Sequence, residues 1–120
     1  MARAGTLSRH GITFALHSDY TMAPAQPLNS AWVAVNRENV AGDIVGPEER
    51  VSVEQALRAV TTDAAYVLGL EHEVGTLQPG KRADFTVLEQ DPFEVPPEDL
   101  RDIKIWGTVF GGTPAPLKDN

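Results

Sequence analysis

Residues 74–88, VGTLQPGKRADFTVL, decide the architecture of the C-terminal half of this 120-residue chain. Two runs rich in β-forming residues flank the segment Gln-Pro-Gly-Lys at residues 78–81, and proline followed by glycine is typical of a tight turn. The stretch therefore predicts a strand, a turn and a second strand. Residues 103–110 alternate between two faces, which predicts a further strand. The proline-rich, charged tail at residues 113–120 is expected to fray.

Helical patterns precede this β unit. Ser52 and Gln55 match a capping box, and apolar residues recur at helical spacing as far as Leu68. Residues 61–63, Thr-Thr-Asp, favour helix caps over helix interiors, so the pattern predicts two consecutive helices. Gly69 is expected to end the second one. An earlier helix is predicted after the proline-rich stretch that ends at Pro27.

Candidate catalytic residues follow a short apolar run, residues 12–16, which predicts a buried strand. Catalytic polar side chains often lie at the C-terminal ends of buried parallel strands. This run ends in His17-Ser18-Asp19. His17 and Asp19 are two apart on an extended segment, so their side chains point to the same face. They could share a divalent metal such as zinc, or Asp19 could act as a base on a metal-bound water. Equally, Asp19 could cap the following loop and His17 could be a packed polar residue.

Further metal ligands and other catalytic templates are missing from the sequence. His10 and His72 lie in predicted turns, and no H-x-H or H-E-x-x-H cluster occurs. The chain has no cysteine, which excludes disulfides, thiolate metal sites and cysteine nucleophiles within it. It also has no nucleophile elbow and no phosphate-binding loop.

The composition of the chain argues against nucleic acids and membranes as binding partners. The formal net charge is −7, which disfavours phosphate backbones and anionic membranes because both attract concentrated Lys and Arg. No run approaches the roughly 18 apolar residues of a membrane span. We therefore expect a cytoplasmic protein that binds neither nucleic acid nor membranes.

Several segments together resemble one known family. Residues 14–19, FALHSD, resemble the eighth barrel strand of the amidohydrolase superfamily, and residues 56–70 resemble the helical stretch that follows its barrel. Residues 74–92 follow the signature G-x-[IL]-x-x-G-K-x-A-D-[FL]-x-V of the small β-sandwich beside that barrel. Residues 105–112 are similar to its final strand. The resemblance spans nearly all of residues 9–112 and is strongest to the YtcJ-like branch, amidohydrolase family 3.

This resemblance implies a mixed α/β fold in two parts. Residues 1–72 would form the last β/α unit of a TIM-type barrel, and residues 73–120 the C-terminal part of a composite β-sandwich. By the same resemblance, Asp19 is the catalytic residue and a metal ligand that transfers protons. His17 stands where many relatives have glycine and is a second candidate ligand. Asp84 is expected to have a structural, hydrogen-bonding role.

The implied function is that of a fragment of a metal-dependent hydrolase acting on non-peptide carbon–nitrogen bonds of small amide-type substrates. The complete enzyme would hold a divalent metal, zinc by expectation, but the family's barrel histidines are missing from this chain. We therefore expect the chain alone to be inactive and to bind no metal tightly. We also expect it to self-associate or to pair with the missing barrel, or else to pack residues 9–19 poorly. Two alternatives stay open: a non-catalytic interaction module, and a trans-complementing subunit of a split amidohydrolase.

Overall fold

The computed structural model describes residues 2–17 and 26–117. Within them the chain is a mixed α/β protein with a three-stranded antiparallel sheet, as expected at the level of fold class. The helices are α1 (Ala4–Arg9), α2 (Pro27–Asn36), α3 (Val53–Ala59) and α4 (Thr62–Val67), and the strands are β1 (Phe85–Leu88), β2 (Ile105–Phe110) and β3 (Thr113–Pro116). Two 3₁₀ helices, Pro47–Glu49 and Pro97–Asp102, join these elements.

The paired helices α3 and α4 form as their sequence predicts. The Ser52 hydroxyl accepts a hydrogen bond from the Gln55 backbone N–H at 3.0 Å and so caps α3. The Gln55 side chain donates instead to Asp63 of α4, at 3.3 Å, so only half of the capping box is present. A break separates the two helices at Val60 and Thr61, and Gly69, with φ of 74°, follows the end of α4.

The core is built around α2, which packs against α3 and the second 3₁₀ helix. Leu100 of that 3₁₀ helix is fully buried, and Trp32 of α2 is buried beside it in the same cluster. The Trp32 indole N–H donates to the Glu98 carbonyl at 2.8 Å. The Arg101 guanidinium lies 3.7 Å from the centre of the Trp32 ring, a cation–π contact on the outer side of the interface. The loop before β2 is therefore anchored to a helix almost seventy residues earlier by both apolar and polar contacts.

The expected strand at residues 12–16 is wrong. Residues 12–17 have no regular secondary structure, and the Leu16 N–H donates to the Ala59 carbonyl at the end of α3. Phe14 is buried in the core, while Ile12 is about half exposed. A strand needs a neighbour for its ladder of hydrogen bonds, and the described residues supply none here.

The C-terminal sheet has the order β1-β2-β3. Phe85 pairs with Val109, and the register shifts after Val87, which is a bulge-like irregularity. The predicted strand at residues 74–77 is wrong, because residues 74–76 form bends and residue 77 has no regular structure. The Lys81 ammonium group donates a hydrogen bond to the Thr76 hydroxyl at 2.7 Å.

The predicted fraying of the tail is also wrong over residues 113–116, which form β3. The Leu117 N–H donates to the Trp106 carbonyl at 2.8 Å. Because strand residues alternate, Pro114 and Pro116 then occupy the positions whose nitrogens face away from β2. Proline is tolerated at these positions because the pairing with β2 needs no N–H donor from them.

Candidate functional site

The predicted catalytic residue, Asp19, lies outside the described residues. His17, the second candidate, is described and exposed. The structure therefore gives a position for only one of the two side chains that the sequence singles out.

His17 lies at a cleft of about 230 Å³ between the start of α2 and the helices α3 and α4. Leu16 and His17 form one side, and Gln26 and Ser30 contribute polar groups at the start of α2. The remaining lining residues are apolar: Pro27, Val60 and Ala64. Of the lining residues named here, His17 is the one with an ionisable side chain.

A metal ion would have to be held by histidine, aspartate or glutamate side chains, because the chain has no cysteine. Across residues 2–17 and 26–117, no group of three or more His, Asp or Glu side chains converges closely enough to hold a metal ion. A metal ion of the hydrolytic type needs at least three protein ligands together. The described residues therefore do not fit a metal centre.

Asp84 has the structural role expected of it. Its carboxylate accepts a hydrogen bond from the Gly111 N–H at 2.7 Å and lies 3.2 Å from the Arg82 guanidinium. Arg82 in turn lies 4.8 Å from the centre of the Phe110 ring. Residues 82–84, which precede β1, therefore hold the glycine turn between β2 and β3 in place through the hydrogen bond to Gly111.

One polar cluster was missed by sequence reasoning. Glu49 is only 3% exposed, and its carboxylate accepts hydrogen bonds from the Thr6 backbone N–H at 2.6 Å and from the Thr6 hydroxyl. Arg3 and Arg9 lie 3.4 and 3.6 Å from the same carboxylate. We call these four residues the Glu49 cluster. In the sequence Glu49 is one of two glutamates in a charged turn, and its partners are about forty residues away, so no local signal identifies it.

The hydrogen bonds within the Glu49 cluster lower the pKa of Glu49 below its ordinary value of 4.5. The Thr6 hydroxyl contributes most, the Thr6 N–H next, and Arg3 adds to both, while burial acts in the opposite direction. Glu49 is therefore ionised at neutral pH.

Arg37 is a second buried charge near the same turn. Its side chain donates to the Val45 carbonyl at 2.9 Å and to the Ala2 carbonyl. Its backbone ends α2 in the left-handed conformation, with φ of 58°. Arg37 and the Glu49 cluster together tie the first residues of the chain to the loop between α2 and α3.

Comparisons with known proteins extend over nearly the whole chain. A model of the amidohydrolase family matches residues 1–116. An N-substituted formamide deformylase of Arthrobacter pascens is 34% identical over 102 residues, which is 85% of this chain and 19% of that protein. YtcJ of Bacillus subtilis, an amidohydrolase by its name, is 34% identical over 110 residues, 89% of this chain and 21% of that protein. An imidazolonepropionase of Acinetobacter baumannii is 33% identical over 91 residues, 75% of this chain and 21% of that protein.

These matches define the class of protein first: it is that of the amidohydrolases. The chain belongs to the amidohydrolase family, as its sequence resemblance predicts, and that family is in general metal-dependent. The chain spans about a fifth of the length of the curated relatives that it matches. In the part of the chain that the structure describes, no helix is long and apolar enough to cross a membrane.

Proposed function

We propose that this chain is one part of a metal-dependent amidohydrolase that cleaves a carbon–nitrogen bond in a small amide-type substrate. In the complete enzyme residues 1–72 are the last β/α unit of its TIM-type barrel, in which residues 12–16 become a strand once other barrel strands pair with them. Residues 73–120 are the C-terminal part of a composite β-sandwich. Asp19 is the catalytic carboxylate, and it takes and returns a proton during hydrolysis. The proposed metal is zinc, and the proposed location is the cytoplasm.

The observation that carries this proposal is the family match, which covers the interval of chain that contains Asp19. His17 and Gln26, which lie on either side of that interval in the sequence, both line the cleft. A family site in this chain therefore has Asp19, a candidate ligand in His17, and none of the other ligands among the described residues. We assign metal binding to the completed protein and derive no catalytic step through the metal from this chain.

The exposed apolar residues of the sheet support the two-part architecture. Phe85 shares one face of the sheet with Val109, its partner in β2, while Trp106 and Phe110 lie on the other face. All three aromatic side chains are exposed, Phe110 by 68%. Exposed aromatic residues on both faces are typical of a sheet that packs against further layers. In our proposal those layers are the rest of the sandwich and the barrel.

The edges of the sheet support the same conclusion. The outer edge of β3 presents Pro114 and Pro116, which have no N–H to donate, so it resists the addition of another strand. The outer edge of β1 has no proline. We therefore expect further strands of the complete sandwich, or those of a second copy in the isolated chain, to pair at β1.

A segment exchange tests the proposed function. This chain replaces the matching segment of the Arthrobacter pascens deformylase, and hydrolysis of an N-substituted formamide is measured. We expect the chimera to be active and Asp19→Asn to lower its kcat by roughly 10²- to 10⁴-fold, the range for a lost general acid–base. Asp43→Asn is the matched control, because Asp43 is an exposed carboxylate in a turn remote in sequence from His17.

The outcomes separate the alternatives. A chimera in which Asp19→Asn is as active as Asp43→Asn contradicts the assignment of Asp19. A chimera that folds but is inactive with Asp19 intact favours a non-catalytic interaction module. Activity after simply mixing this chain with the remainder of the relative favours a trans-complementing subunit.

A further inference from the structure

Helix α1 is too short to be stable alone. It has six residues, and isolated helices below about 12 residues are marginal in water because the first turn is costly to form. Its N-cap residue, Arg3, makes no side-chain capping hydrogen bond. Contacts from outside the helix must therefore hold it in place.

Ala4 and Leu7 pack against the core, and Glu49 supplies the polar contacts. Thr6 lies in the first turn of α1, where a backbone N–H has no acceptor within the helix. One carboxylate oxygen of Glu49 accepts that N–H at 2.6 Å, and the other accepts the Thr6 hydroxyl. Glu49 thus takes the part of a capping residue, although it lies 43 positions further along the chain.

The backbones also meet closely at this point. A Cβ atom on Gly5 would lie 2.6 Å from the Glu49 Cα, so only glycine permits this approach. The Arg9 side chain donates to the Glu48 carbonyl at 2.7 Å. The helix is therefore seated on the first 3₁₀ helix, with Glu49 at the centre of the contact.

The charged groups around Glu49 are mostly cationic. Arg3, the N-cap of α1, and Arg9 lie 3.4 and 3.6 Å from its carboxylate. The Arg37 side chain reaches the neighbouring Gly46 but donates to the Val45 and Ala2 carbonyls. Among the described residues, the exposed Glu48 is an anion next to Glu49 on the same 3₁₀ helix. Neutralising Glu49 would leave Arg3 and Arg9 without their shared partner and would weaken both hydrogen bonds from Thr6.

We propose that the Glu49 cluster is a charge-dependent attachment for α1: ionised Glu49 holds α1 on the first 3₁₀ helix, and protonation releases it. Because α1 leads directly into residues 10–17, release also loosens the stretch that approaches the cleft. The core around α2 stays folded, because the Glu49 cluster contributes nothing to it and α1 contributes only Ala4 and the partly buried Leu7. This inference is independent of the proposed enzymatic function.

The direction of the pH dependence follows from the lowered pKa of Glu49. A carboxyl group whose pKa is lower in the folded state than in the unfolded state stabilises the folded state. The full stabilisation is present at pH values above the ordinary pKa of the group, 4.5. The stabilisation is lost as the pH falls through the folded-state pKa. Helix α1 is therefore attached at neutral pH and released in acid.

The Thr6 amide is the probe for the experiment, since its protection from hydrogen exchange comes from Glu49. Exchange is followed by NMR on the 120-residue chain and corrected for the intrinsic pH dependence of exchange. The Ala56 amide, which donates to the Ser52 carbonyl at 2.9 Å and belongs to the buried core, is the internal reference. Wild type is compared with Glu49→Gln and with the matched control Glu48→Gln at neutral pH.

We expect Thr6 protection to fall several-fold in Glu49→Gln and to stay unchanged in Glu48→Gln, with Ala56 protected in all three. In the wild type, Thr6 protection should be lost as the pH falls through the lowered folded-state pKa of Glu49, while Ala56 protection remains. Full Thr6 protection in Glu49→Gln would overturn the proposal. So would simultaneous loss of Thr6 and Ala56 protection on acidification of the wild type, because it would mean that α1 does not detach separately.

Discussion

Replacing Leu100 by alanine should destabilise the chain more than any matched change at its surface. Leu100 is 0% exposed in the second 3₁₀ helix and packs in the core built around α2. The substitution removes about three methylene equivalents at roughly 0.8 kcal/mol each, or ~2.4 kcal/mol. The cavity left behind adds to this, and buried Leu→Ala changes cost about 2–5 kcal/mol. We expect the free energy of unfolding to fall by about 3 kcal/mol.

Guanidinium unfolding, followed by Trp32 fluorescence, measures this loss. Trp32 is buried beside Leu100, and a Trp106→Phe background removes the second tryptophan from the signal. Leu117→Ala is the matched control, since Leu117 is 60% exposed. It should change the free energy of unfolding by less than about 0.5 kcal/mol. A loss below about 1 kcal/mol for Leu100→Ala would refute the packing of the second 3₁₀ helix on α2.

Three further substitutions test local contacts. Ser52→Ala removes the cap of α3 and should lower the free energy of unfolding by about 1 kcal/mol, measured by thermal unfolding; an unchanged melting temperature would contradict the cap. Gly107→Val should cost about 1–3 kcal/mol, because a Cβ there would lie 2.5 Å from the Ala115 carbonyl oxygen. Hydrogen exchange at Ala115 should accelerate in that variant, and unchanged protection would argue against the β2–β3 register. Asp84→Ala should cost about 1 kcal/mol by removing the acceptor of the Gly111 N–H, and an NMR shift of that amide is the check.

The features that could be predicted from the sequence are those whose causes are local. The cap at Ser52, the break near Thr61 and the stop at Gly69 each depend on residues within one helical turn, and all three are confirmed. The strand β1 and its partner β2 were also expected, because alternation and turn chemistry are visible over a few residues.

The features that could not be predicted depend on distant partners. Residues 12–16 have the composition of a strand, but a strand forms only where another strand pairs with it. Residues 113–116 have the composition of a loose tail, yet they pair with β2 because a glycine turn returns them to it. Glu49 resembles an ordinary surface glutamate until Thr6 is brought to it from 43 residues away.

The candidate site also has a part that the sequence predicts and a part that it does not. Family membership is carried by short motifs and is confirmed, whereas the role of Asp19 stays a prediction. A metal centre needs ligands from several strands of a barrel, so a segment with one strand-end motif cannot display the whole set. His17 is the one predicted site residue whose place the structure gives, at the cleft.

The central claim is that this chain supplies Asp19 to an active site that it does not complete. Elemental analysis of the purified chain for zinc, with hydrolysis of an N-substituted formamide measured on the same sample, tests it most directly. We predict substoichiometric zinc that is unchanged by Asp19→Ala, and no hydrolysis that depends on Asp19. One equivalent of zinc per chain that is lost on Asp19→Ala, together with hydrolysis, would contradict the claim and establish a complete metalloenzyme within these 120 residues.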